Sequence, residues 1–246
     1  MKVLALFFLS VFFAIIFSCN SVLGDSTGNS SGQQSTDSMF FEKFQKGVFP
    51  SANYTDTIDT TILTTSPNSN LGASTVGAFG TISTGDKLRY LIRFNIKGYI
   101  PKTAVVKNAY LLLYVSSSPS SETGSNKGAY TLTRNFVEGT SNTDIIDGAT
   151  WNTYDGTNSW TTPGGDFNAA LSSNPVDITG LVATDYYTFQ LDTSLVQNWV
   201  EDVTLNSGIL IKNITEISSP QASIVAANET TTLVERPMLI VYYDLP

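Results

Sequence analysis

Histidine is missing from all 246 residues. Its absence removes the commonest general base, the commonest metal ligand and any serine–histidine or cysteine–histidine nucleophile pair. Cysteine occurs once, as Cys19, which leaves no pair for a disulfide in the folded part. Charged residues are also few, at 14%, and the net charge is −8. No basic patch can gather phosphates, so nucleic acid is a poor partner. Neither a phosphate-binding glycine loop opening a helix nor a Cys/His zinc spacing is present. These absences argue against catalysis and point to a binding or structural protein.

What is abundant is small and polar: Ser, Thr and Asn throughout, with 18 Gly and 9 Pro. With Val, Thr and Tyr alongside, this composition suits an exported all-β protein, and about 200 residues is ample for one core. The N-terminus reads as an export signal. Lys2 precedes an apolar run over 3–17 that is too short to span a bilayer comfortably. Two cleavage sites compete. Val22-Leu23-Gly24 would leave Asp25 as the mature end, giving a signal peptide over 1–24. Ile16-Phe17-Ser18-Cys19 resembles a lipobox, which would end the leader at 18 and lipidate Cys19. The membrane would then be reached only through that lipid. Residues 25–47 read as a flexible polar linker. Within it 25–38 is low-complexity sequence, while 39–49 is apolar enough to dock as a short helix or an edge segment. The folded domain is expected over 48–246.

From there the patterning is that of strands. Residues 57–65 are rich in Thr and Ile, and Pro67 to Gly72 is turn chemistry. In 88–96, Leu88, Tyr90, Ile92, Phe94 and Ile96 alternate with Arg89, Arg93 and Asn95, predicting a strand with one buried face. Arg89 and Arg93 share its other face; together they would suit an acidic sugar, but a solvated strand face is the first reading. Residues 109–115 are apolar at both parities, as a strand covered on both sides would be. Further strands are predicted over 129–137, 187–191, 208–212 and 238–243. In 194–203 the period changes: Leu195, Val196, Trp199, Val200 and Val203 recur every three or four residues. That predicts a short amphipathic helix with Trp199 in the core, capped by Thr193 or Ser194. Many short strands and one helix give an all-β, jelly-roll-like β-sandwich.

The most informative stretch is 150–167, TWNTYDGTNSWTTPGGDF. Gly, Asn, Asp and Pro at this density break regular structure, and a long loop carrying large aromatics is functional or tightly self-packed. In one reading Trp151, Tyr154 and Trp160 stack on sugar rings while Asn152, Asn158 and Asp166 bond hydroxyls. In the other, the tryptophans plug one end of the sandwich. Carboxylates at Glu138, Asp144, Asp147, Asp155 and Asp166 are close in sequence, but nothing sets two of them across a cleft. Asp and Asn oxygens would suit Ca²⁺, yet no ligand spacing supports it, so no cofactor and no metal residues are assigned. Asn29, Asn53, Asn213 and Asn228 are N-x-S/T acceptors, relevant only in a host that glycosylates exported proteins.

The landmarks also come in a recognisable order: RYLIRFNI, AYLLLYV, the TWN…W…GGD loop, SLVQNW, SGILIK and RPMLIVYY. With Asp59-Thr60 and the Asn68 to Gly72 turn, this order resembles the DNRLRE domain, which overlaps carbohydrate-binding module family 96. The resemblance covers about residues 50–246. It implies a jelly-roll sandwich on exported, often surface-attached proteins. The expected function is a non-catalytic carbohydrate-binding module, with polysaccharide or other surface glycans as partner. The alternative is a structural or adhesive protein of the cell surface or extracellular matrix that takes no small ligand.

Overall fold

A computed structural model describes residues 39–82, 84–117, 126–142, 147–177, 181–216 and 222–246. The described residues hold eleven strands and one α-helix. In chain order they are β1 Phe40–Phe44, β2 Thr57–Leu63, β3 Val76–Thr81, β4 Lys87–Phe94, β5 Val105–Ser117 and β6 Asn126–Thr131. After these come β7 Val176–Asp177, β8 Tyr186–Leu191, α1 Thr193–Glu201, β9 Ile209–Asn213, β10 Ala222–Val225 and β11 Met238–Asp244.

All pairing is antiparallel. One layer runs β1-β11-β5-β8 and the other β7-β6-β9-β4-β2. Along one side β10 pairs with both β5 and β3, and β3 meets β4 through Gly80 and Thr81, so the layers are joined there. The protein is thus an all-β sandwich with one short helix.

Side-chain alternation decides what lies between the layers. Tyr90, Ile92 and Phe94 of β4 meet Ala109, Leu111 and Leu113 of β5, with Tyr187 and Phe189 of β8 beside them. Each such side chain, fully buried, contributes roughly 1.5–3 kcal/mol. The helix closes this core with Val196, Trp199 and Val200, the face its three-and-four spacing predicts. Its N-cap is Asp192 rather than Thr193 or Ser194, and that side chain makes no capping bond.

A second apolar cluster lies on the opposite side of β4 and β9. Leu91 and Leu210 point away from the sandwich interior and meet Ile62, Tyr130, Leu132, Phe136, Ala149 and Trp160. The chain between β6 and β7 therefore folds back over the second layer and covers it.

Three expectations change. The fold reaches forward of residue 48 through the edge segment foreseen within 39–49: Phe40–Phe44 is an edge strand with Phe40 opposite Tyr243 and Phe44 opposite Leu239. The buried Phe44 anchors it in the core, which a polar linker could not do. The strand predicted over 129–137 stops at Thr131; Leu132 still donates to the Gly208 carbonyl at 3.0 Å but bridges Phe167 and joins the outer cluster. Finally, β5 is covered on one side only; Tyr110, Leu112 and Tyr114 on its outward side are half-buried.

Candidate functional site

The loop over 150–167 is built from short local bonds. Thr153 and Ser159 bridge, the Tyr154 N–H donates to the Asn158 carbonyl at 3.0 Å, and the Trp160 N–H donates to the Asn152 carbonyl at 3.1 Å. At the tip, Asp155 accepts the N–H groups of Thr157 and Asn158, and Gly156 adopts φ +85° to complete the turn.

This folding places the expected binding residues unevenly. Trp160 is only 3% exposed, and its indole N–H donates to the Thr150 carbonyl at 2.9 Å. It offers no stacking face; it is the plug of the outer cluster. Trp151 is half-buried, with the Arg89 guanidinium 4.8 Å from its ring centroid on one side and Gly164 against its edge. Gly164 has φ +95°, and a Cβ there would stand 2.8 Å from the indole, so the close approach requires glycine. Tyr154 packs its ring on Trp160 at 5.8 Å and carries the Arg134 guanidinium at 4.8 Å.

The polar members are engaged within the fold. Asn152 donates to Asn68 Oδ1 at 2.8 Å. Asp166 accepts from the N–H groups of Thr161 and Thr162 and from Arg134 Nε at 2.8 Å. Burial alone would raise its carboxyl, but the Thr161 and Arg134 bonds more than offset that and hold it below the usual range.

Arg89 does not sit on a solvated face. The returning loop covers it, and the guanidinium lies between Trp151 and Phe167. Its Nε and Nη2 bond both oxygens of Glu216 at 2.8 and 2.7 Å, and Nη1 donates to the Gly164 carbonyl at 2.6 Å. Its partners lie 75 and 127 positions away, so no local pattern announces them. Arg93 keeps more freedom and donates to Asn135 at 3.1 Å.

Above this frame lies an open cleft of about 480 Å³. Arg89 and Phe167 form its inner part, and Arg134, Thr161, Thr162 and Asp166 its rim. Both arginines are ion-paired, Arg134 with Asp166 and Arg89 with Glu216, which Lys212 also approaches at 3.9 Å, so the cleft carries hydroxyl, amide and ring surface beside paired charges.

The close carboxyl pair in the described residues is elsewhere. Glu138 accepts from the Asp59 N–H at 3.1 Å, and Lys46 Nζ stands 3.9 Å from it. Asp59 accepts from the Tyr90 hydroxyl and from the Ala227 N–H. Burial pushes the Asp59 carboxyl up to about 7, only partly countered by those two bonds, and the Glu138 charge adds to the rise. Being 1% exposed, Asp59 cannot meet a substrate; this pair braces the strand. The sequence reading missed it because Asp59 lies on the core face of β2, 79 positions from Glu138.

Among the described residues no group of three or more His, Cys, Asp or Glu is placed to hold a metal ion. None of their helices is long and apolar enough to cross a membrane. Cys19, Asn29, Asp144 and the leader lie outside the described residues. Of the remaining glycosylation acceptors, Asn53 is exposed, Asn228 is held by Lys46 and Glu138, and Asn213 is buried. Asn213 therefore cannot carry a glycan in the folded chain. No protein-family model matches the chain, and no curated protein matches it significantly.

Proposed function

We propose that the chain is a non-catalytic, exported carbohydrate-binding protein that holds an uncharged glycan in the cleft over 161–167. The observation that carries this reading is the lining: a half-buried Phe167 ring, two threonine hydroxyls and an Arg134–Asp166 pair whose charges cancel. A ring face meets the C–H side of a sugar, while the few polar groups fix its orientation. The order of motifs resembling the DNRLRE domain supports the same ligand class. The binding surface is then the rim of the loop, and its tryptophans serve as the scaffold beneath.

Titration calorimetry with soluble glucans and galactans tests the reading. Arg134 is 43% exposed in its side chain, so Arg134→Ala should weaken binding at least tenfold with little change in melting temperature. Thr162→Trp, at an exposed rim position, should block the cleft. A wild type that binds none of these polymers, or variants that bind as well as it does, would refute the cleft.

A second reading, a structural or adhesive surface protein without a small ligand, is favoured by one observation. Trp160 is buried, and Asn152 and Asp166 spend their hydrogen bonds inside the loop.

A further inference from the structure

The sequence marks β5 as apolar on both sides, yet the structure covers only one. Its outward residues belong to a surface spread over four strands. Tyr110 stands opposite Ile240 and Gln190, Leu112 opposite Met238 and Thr188, and Tyr114 opposite Tyr186. Phe41 stands opposite Tyr242 on the β1 side. The rings touch one another: Phe41 and Tyr242 at 5.9 Å, Tyr110 and Tyr242 at 6.1 Å, Tyr114 and Tyr186 at 5.3 Å. Phe41 is 57% exposed and Tyr186 37%, while Tyr110, Tyr114 and Tyr242 are half-buried.

We propose that this outward face of the first layer is a second glycan surface, on which the flat sides of an uncharged polysaccharide stack. For its ligand class the proposal rests on the carbohydrate reading; its residues are separate from those of the cleft. Charge favours this occupant. Lys43 borders one end, Glu235 faces Tyr114 and Tyr186 at another, and Lys107 is ion-paired with Asp244 at 3.1 Å. The centre is rings, aliphatic carbon and hydroxyl or amide tips, which suit a neutral sugar chain. Size argues against a second copy. Four strands about 4.8 Å apart, each contributing about five residues, span on the order of 300 Å². A stable protein interface buries roughly 800 Å² on each partner. Tyrosine also fits the task, since its ring is apolar and its tip stays wet.

The test uses the full chain with microcrystalline cellulose, chitin, agarose and mannan in sedimentation binding assays. Tyr186→Ala and the double variant Tyr114→Ala/Tyr186→Ala should reduce binding at least tenfold on the polymer that wild type binds. Lys102→Ala, an exposed position outside both surfaces, should leave that binding intact. Tyr186→Lys, a change on an exposed edge position, repeats the test while a melting curve verifies the fold. Binding lost only in Arg134→Ala would overturn the face and leave the cleft standing. Tyrosine variants that lose these polymers yet still bind soluble glucans and galactans in calorimetry would support the face and leave the cleft standing. A concentration-dependent dimer that the tyrosine variants abolish would show a second copy as the occupant and overturn the proposal. So would a wild type that sediments with none of the four polymers.

Discussion

Replacing Trp160 by alanine separates a scaffold from a binding platform. The ring is buried among Ile62, Leu91, Leu132, Phe136 and Leu210, in edge contact with Tyr154, and its N–H satisfies the Thr150 carbonyl. Removing it deletes a large apolar volume from a cluster whose far wall is a strand pair and cannot collapse. The expected loss is about 3–5 kcal/mol. Trp160→Phe keeps most of the ring but leaves the Thr150 carbonyl without its donor, and should cost about 1–2 kcal/mol. Urea unfolding at fixed pH measures both, through the midpoint at unchanged slope. For a domain of this size each kcal/mol moves the melting temperature by about 2–4 °C, so the alanine variant should melt roughly 6–20 °C lower. The stretch from 132 to 173 should also become open to proteolysis, since its main anchor is gone. A cost below about 1 kcal/mol would mean that the ring is exposed in solution and the scaffold argument wrong.

Other perturbations follow from the same contacts. Gly72→Ala should cost several kcal/mol in urea unfolding, because a Cβ there collides with the Glu138 carbonyl oxygen, and backbone cannot move aside. Arg89→Met should cost several kcal/mol by leaving Glu216 only Lys212, 3.9 Å away, and pairing it with Glu216→Gln should recover part of the loss; simple additivity would refute the coupling. Asp59 holds its proton more tightly folded than unfolded, since its carboxyl is raised from 3.8 to about 7. Its contribution to stability is therefore full below about pH 4 and is lost as pH rises through 7. Asp59→Asn should reduce that fall, the neighbouring Glu138 carboxyl, which burial also raises, keeping the remainder; the difference between the two urea midpoints across the range reads it.

Local periodicity carried much of the fold. Alternation marks β4, a continuous apolar run marks β11, and the spacing of Leu195, Val196 and Trp199 marks the helix, because these patterns are written in each element's own residues. What escaped was set by distant chain. Arg89 alternates like a solvated residue, yet a loop some seventy positions later covers it and Glu216 neutralises it. Trp160 reads equally as a platform or a plug, since nothing local says which side of the loop meets the sheet. That residues 39–49 dock is legible in their apolar side chains, but the choice of edge strand over short helix is not, because five residues with Glu42 and Lys43 among them show little pattern. The doubly apolar β5 was legible as a pattern, but not the fact that one of its sides would stay open.

The pairing of the first strand with the last has a mechanical side. Phe40, where β1 begins, lies opposite Tyr243, near where β11 ends. Tension applied between the two ends of this unit thus acts at one and the same end of the ladder. In that geometry the bonds yield in succession, as in a zipper, Phe40 parting from Tyr243 before Phe44 parts from Leu239. A load arriving at both ends is spent on an edge strand while the layers behind it, held by the seven-residue ladder of β2 on β4 and by β5 on β11, bear little of it.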